Sequence, residues 1–180
     1  MALSIAKIDF EHREVSLRAK PTEMLEASPK GSVPVFVLAD GTVIDESLDI
    51  LRWALPSVDL KMDLIEMIDG PFKHHLDRYK YWSRYDETAK RGDVNLEHRG
   101  EAVNILQNLN TALTDQDFLS GSEMGPSDIA TFPFIRQFAA VEPDWWANES
   151  GLDKLCVWLC SCLESDLFKT IMMKHPLWQA

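Results

Sequence analysis

Three short stretches in the first third of the chain hold residue types suited to a charged, peptide-like ligand: Lys20 before Pro21, Val33 before Pro34, and the pair Glu46-Ser47. A proline at the start of a β-like run removes a ladder donor. A cis bond there turns the Val33 backbone outward and leaves its N–H and C=O free to pair with something extended. Glu46-Ser47 stands where a helical pattern begins, and a helix N-terminus presents unpaired N–H groups and partial positive charge to a carboxylate. The acidic side chain beside it suits an ammonium, and Lys20 suits a second carboxylate. Together these groups describe a pocket for a short zwitterionic peptide. Taken singly each has a plainer reading, Lys20 as a solvated surface charge and Glu46-Ser47 as helix-capping chemistry.

Other reactive residue types have weaker patterns. Cys156 and Cys160 lie one helical turn apart, and Cys162 follows. No histidine or fourth ligand stands at metal spacing, so the cysteines read as small apolar core residues and no metal site is expected. His74 and His75 are adjacent and point to different faces of a helix, which argues against joint ligation. Asp128, in the first turn of a helical pattern, reads as a structural match to the helix dipole.

The elements that must position these residues fall into two regimes, residues 1–56 and residues 57–180. In the first, residues 12–17 alternate like a strand, and residues 33–38 are rich in β-branched and aromatic types. Asp40-Gly41 is a hairpin signal before residues 42–44. Residues 21–27 read as a short helix with proline at its first position, and Leu48, Leu51 and Leu55 recur at helical spacing. Pro56-Ser57 breaks the pattern as a linker. Beyond it the chain reads helical, with Gly70-Pro71 as a break between two helices. Ala102, Ile105, Leu106, Leu109 and Leu113 form an apolar stripe, and further helices are expected over 129–140, 152–163 and 167–173.

Composition bounds the function. The chain has 180 residues, of which 46% are hydrophobic and 26% charged, enough to bury a core without metal or disulfide. The formal charge is −11, and both regimes are acidic, which argues against nucleic-acid binding. No apolar run approaches the ~18 residues of a membrane span. The first ten residues lack the form of a signal peptide. A cytoplasmic protein without membrane or nucleic-acid partners is expected.

The sequence resembles the cytosolic glutathione transferases, specifically their omega-like bacterial branch. The motifs are Lys20-Pro21, residues 28–35 with Val33-Pro34, and Asp45-Glu46-Ser47-Leu48; Lys20, Val33 and Glu46 stand at intervals of thirteen residues. The likeness continues through residues 72–80 and 127–134. It implies an α+β fold, with a thioredoxin-like glutathione-binding domain over 1–56 followed by an all-helical C-terminal domain over 57–180. It also implies glutathione as co-substrate, a small electrophile or mixed disulfide as second substrate, and a homodimer. By resemblance Lys20 meets the glycyl carboxylate, and Val33 with the cis Pro34 pairs with the cysteinyl unit. Glu46 and Ser47 hold the γ-glutamyl end. Tyr79, Tyr81, Trp82 and Tyr85 fall where the family's hydrophobic substrate site opens, and fit a core or dimer interface equally well.

Two departures from the family pattern carry expectations. Residues 1–8 read as the tail of the family's first helix, so the thioredoxin-like domain is expected to be incomplete, with its first strand and activating Cys, Ser or Tyr absent. A start about 25 residues earlier would supply a strand and most of a helix. Ser4 is too far along that helix for the role and the cysteines lie in the other domain, so the catalytic residue is unknown. Gly125 takes the place of a Ser/Thr cap before Pro126, Ser127 and Asp128, at an expected cost of a few tenths of a kcal/mol. Without the missing strand, residues up to about 55 are expected to be the less stable part, loosely ordered or completed by another chain. The function expected is glutathione transfer by conjugation or thiol exchange; the alternative is a non-catalytic glutathione-binding or protein-interaction module that keeps the fold.

Overall fold

Apolar residues at helical spacing fold as the periodicity requires, and most of the buried side chains lie in those helices. The computed structural model describes residues 1–58 and 60–179. The chain divides into two units, Met1–Val58 with Asp166–Ala180, and Asp59–Ser165.

The first unit contains α1 (Ala2–Ile5), α2 (Thr22–Ala27), β1 (Phe36–Val37), β2 (Val43–Ile44), α3 (Ser47–Ala54) and α10 (Asp166–Ile171). β1 and β2 are antiparallel, with Phe36 opposite Ile44 and Val37 opposite Val43. The turn between them is the one Asp40-Gly41 signals. Gly41 has φ +87°, and the Asp40 carboxylate accepts the Thr42 N–H at 2.9 Å. Pro21 stands one place outside α2, extended at φ −62° and ψ 148°, rather than as its first helical residue. Among the described apolar residues of this unit Ile50, Leu51 and Ala54 are buried, while Phe10, Leu17, Val37 and Leu177 are exposed. Residues 12–17 do not form the expected strand. They make two isolated bridges, Glu14 to Leu177 and Ser16 to Ala19, because a strand needs a continuous ladder and none runs beside them among the described residues.

The second unit contains α4 (Met62–Met67), α5 (Lys73–Lys80), α6 (Leu96–Ala112), α7 (Pro126–Ala139), α8 (Pro143–Glu149) and α9 (Asp153–Glu164). Gly70-Pro71 does not break the helix. Ile68–Phe72 forms a five-residue π-type turn joining α4 to α5, whose wider winding accommodates a ring without an N–H. Phe72, Tyr79, Phe132, Phe138 and Trp158 are fully buried here, each contributing on the order of 2 kcal/mol of apolar burial.

Asp128, also fully buried, ties the preceding loop to two helices. It accepts the N–H of Leu119 at 2.7 Å, Ser120 at 3.0 Å and Gly125 at 3.0 Å, and the Trp158 indole N–H at 2.7 Å. Gly125 is more than a tolerated cap, since a Cβ placed there would lie 2.6 Å from the Ser120 Cβ. The cysteines do not share a buried face: Cys160 is exposed, Cys156 half-buried and Cys162 buried.

Candidate functional site

Lys20, Val33 and Glu46 are gathered around one loop of the first unit. α2 is followed by its cap residue Ser28, whose C=O accepts the Gly31 N–H at 2.9 Å to close a tight turn. Gly31 adopts φ +60°. A Cβ there would lie 3.1 Å from the Lys20 ammonium and 3.3 Å from its Cδ, so the missing side chain is the space in which Lys20 lies. Lys20 has no carboxylate partner among the described residues.

The loop continues to Val33-Pro34, whose peptide bond is cis. Val33 is 50% exposed, and neither its N–H nor its C=O has a hydrogen-bond partner among the described residues. An extended ligand can use both groups.

Glu46 and Ser47 open α3. Glu46 is the extended cap residue, its C=O accepts the Ile50 N–H at 2.9 Å, and Ser47 is the first helical residue. Both side chains are exposed. Their setting contains three residues that lie within the quoted motifs but carry no role in the sequence reading, Ser28, Lys30 and Asp45. Lys30 donates to Glu46 at 2.9 Å and to Asp45 at 3.3 Å, and the Ser28 hydroxyl donates to Asp45 at 3.0 Å. Hydrogen bonds from Ser28, then Lys30, hold the Asp45 carboxyl below its ordinary range, and bonds to Glu46 and Asp45 raise the Lys30 ammonium. Ser28 is buried, which anchors the loop to the start of α3. A lysine between Pro29 and Gly31 and an acid before Glu46 carry no periodic signal; the nearest sequence hint is their opposite charge. The Glu46 carboxylate is thus not an isolated anion, and a ligand ammonium at this point would share it with Lys30.

Of the aromatic residues named for the second unit, Tyr79 belongs to the core. It is fully buried, and its hydroxyl donates to Glu142 at 2.6 Å; burial, then this bond, pushes its ionisation upward. Arg99 completes the arrangement with a 2.8 Å ion pair to Glu142. Tyr81 and Trp82 are half-buried and Tyr85 is exposed. The Arg84 guanidinium lies 4.1 Å from the Tyr81 ring centre, and that of Arg78 lies 4.5 Å from that of Tyr85. Among the described residues no group of three or more His, Cys, Asp or Glu side chains has metal-ligating geometry. No helix there is long and apolar enough to cross a membrane.

Comparison with known proteins places the chain in a family. The chain is 27% identical over 176 residues to glutathione S-transferase U19 of Arabidopsis thaliana, covering 92% of this chain and 79% of that protein. It is 27% identical over 188 residues to the probable glutathione S-transferase parA of Nicotiana tabacum, covering 99% and 84%. The crystal structure of glutathione transferase F7 from Populus trichocarpa superposes with a TM-score of 0.74 at 16% identity, over 94% of this chain and 89% of that one. This supports an α+β fold with a thioredoxin-like first part and a helical second. Residues 1–54 match the glutathione S-transferase N-terminal domain and residues 63–166 the C-terminal domain, and the chain therefore belongs to the glutathione S-transferase family.

Proposed function

We propose that this protein binds glutathione through its first 56 residues and presents it for conjugation to a small electrophile or for thiol exchange with a disulfide. The observation that carries this reading is the exposed, unpaired Val33 backbone, with Lys20 on the Gly31 side and the start of α3 tied to the same loop. In this reading Lys20 meets the glycyl carboxylate, and Val33 beside Pro34 pairs with the cysteinyl unit. Ser47 and the α3 N–H groups take the γ-glutamyl carboxylate, while Glu46 takes the ammonium. Residues 57–180 supply the second-substrate surface, for which Tyr81, Trp82 and Tyr85 are the aromatic candidates.

The chemistry of transfer is attack by a thiolate, so it needs a group that lowers the glutathione thiol's pKa. The reading assigns that role to no residue of this sequence. The placement in an omega-like bacterial branch, a homodimeric state and a cytoplasmic location are parts of the same proposal. They rest on the motif pattern and on what is usual in the family.

Titration calorimetry with glutathione, followed by turnover assays with a chloronitroaromatic electrophile and with a mixed disulfide of glutathione, tests the reading. Binding with turnover supports a transferase or thiol reductase. Binding without turnover selects the non-catalytic module. Absence of binding overturns the glutathione assignment.

A further inference from the structure

The C-terminal segment of the chain returns to the first unit and lies along residues 12–14. The Trp178 N–H donates to the Glu14 C=O at 2.8 Å, within a parallel bridge between Glu14 and Leu177. The His175 ring stacks on His12 at 4.1 Å, with 24° between the planes. The Arg13 guanidinium sits 4.6 Å from the Trp178 ring centre. Three consecutive residues, His12, Arg13 and Glu14, therefore each hold a residue of the tail. Among the described residues, the bond from Trp178 is the backbone hydrogen bond that ties residues 9–18 to a segment distant in sequence. Two residues after Glu14, the Ser16 C=O accepts the Ala19 N–H at 3.0 Å, and this turn delivers the chain to Lys20 on Gly31.

We infer that the tail, through Leu177 and Trp178, is the edge partner that fixes residues 12–19 and thereby positions Lys20 for a ligand carboxylate. The physical reason is that residues 12–17 have a strand-like sequence but no neighbouring ladder among the described residues. An isolated extended segment has no cooperative hydrogen bonding to offset its ordering entropy. One backbone bond, a stacked imidazole pair and a cation on an indole supply fixed points at successive residues. Trp178 is a positioning residue in this account, acting on the ligand only through Glu14, the 16–19 turn and Lys20. The consequence for Lys20 rests on its proposed role toward glutathione.

The test uses the full chain with Trp178→Pro, which removes the N–H donor, and Trp178→Ala, which removes the ring and keeps the donor. Hydrogen exchange of the Ala19 amide reads the edge directly and needs no ligand. The expected result is exchange faster by about tenfold or more in Trp178→Pro, with α6 amides unchanged and a smaller effect in Trp178→Ala. Calorimetry with glutathione and with its glycyl ethyl ester reads the consequence at Lys20. Trp178→Pro should weaken glutathione binding about tenfold, the scale of one charge-assisted contact, and leave the ester nearly unaffected. Unchanged Ala19 exchange in both variants would overturn the edge-partner role. Equal weakening of both ligands would overturn the positioning of Lys20, since it indicates general loosening. Failure of the glutathione reading looks different: the wild-type chain then binds neither ligand, which removes the step to Lys20, while Ala19 exchange still decides the tail's role.

Discussion

The Nδ1 atoms of His75 on α5 and His98 on α6 lie 2.8 Å apart, close enough that one must donate and the other accept. Such a pair requires a proton on one ring and a free lone pair on the other. His74 flanks it, with ring centres 5.1 Å from His75 and 6.0 Å from His98, and the Trp82 ring lies 5.8 Å from His98. Burial first, then the neighbouring His98 and His74, lowers the pKa of His75; burial first, then Arg78 and His74, lowers that of His98. Glu101 opposes both shifts and Glu97 opposes that of His98. Because the folded-state values lie below the unfolded one, the unfolded chain binds more protons in the window below about pH 6.5. The contribution is present in full above that pH and is lost as pH falls through the lowered values. Melting temperature should therefore drop as pH falls below about 6.5. The drop should flatten in His98→Asn; an unaltered slope would take the pair out of the account.

Asp128 and Gly125 should be sensitive for different reasons. Asp128→Asn keeps the shape of a side chain that accepts from Leu119, Ser120, Gly125 and Trp158, but turns an NH2 group toward donors. A loss of about 3 kcal/mol in urea unfolding is expected. Gly125→Ala places its Cβ against Ser120 and should cost about 1–3 kcal/mol as a local overpacking. Ser120→Gly in the same chain should recover much of that loss, which a cost from capping alone would not allow.

Glutathione affinity should depend on both ends of the 28–34 loop. Lys20→Ala is expected to weaken binding by about 1–3 kcal/mol, the range of a charge-assisted contact. Glu46→Gln should weaken it less, because Lys30 already shares that carboxylate. Calorimetry on the three proteins checks this, and equal affinities would put both residues outside the ligand's reach.

The cysteines should react with a disulfide reagent in the order Cys160, Cys156, Cys162. Cys160 is exposed. Burial raises the thiol of Cys156, and burial with the nearby Asp128 charge pushes that of Cys162 up to about 12. Near pH 8 one thiol per chain should titrate fast, since only the thiolate attacks. Mass spectrometry after partial labelling identifies it. Early labelling of Cys162 would mean that α9 opens readily.

Much of this protein is legible from local pattern alone. The apolar stripe through Ala102, Leu106 and Leu109 determines a helix with one buried face, because that repeat matches the helical turn whatever packs against it. Asp40-Gly41 determines the β1–β2 turn for the same local reason, and the spacing of Lys20, Val33-Pro34 and Glu46-Ser47 marks out the candidate site before any fold is drawn. Tertiary structure decides what depends on a distant partner. Alternation in residues 12–17 cannot say whether a ladder exists beside them, and Leu177 and Trp178 answer at Glu14 from the other end of the chain. Lys30 becomes part of the site only when the 28–31 turn brings it to Asp45 and Glu46. His98 meets His75 only because α5 packs on α6, and Gly125 proves a packing requirement only where the Ser120 loop closes on it. Periodicity and turn chemistry act over a few residues, whereas hydrogen-bond partners, burial of a particular thiol and the close approach of a loop are set by residues far apart in sequence.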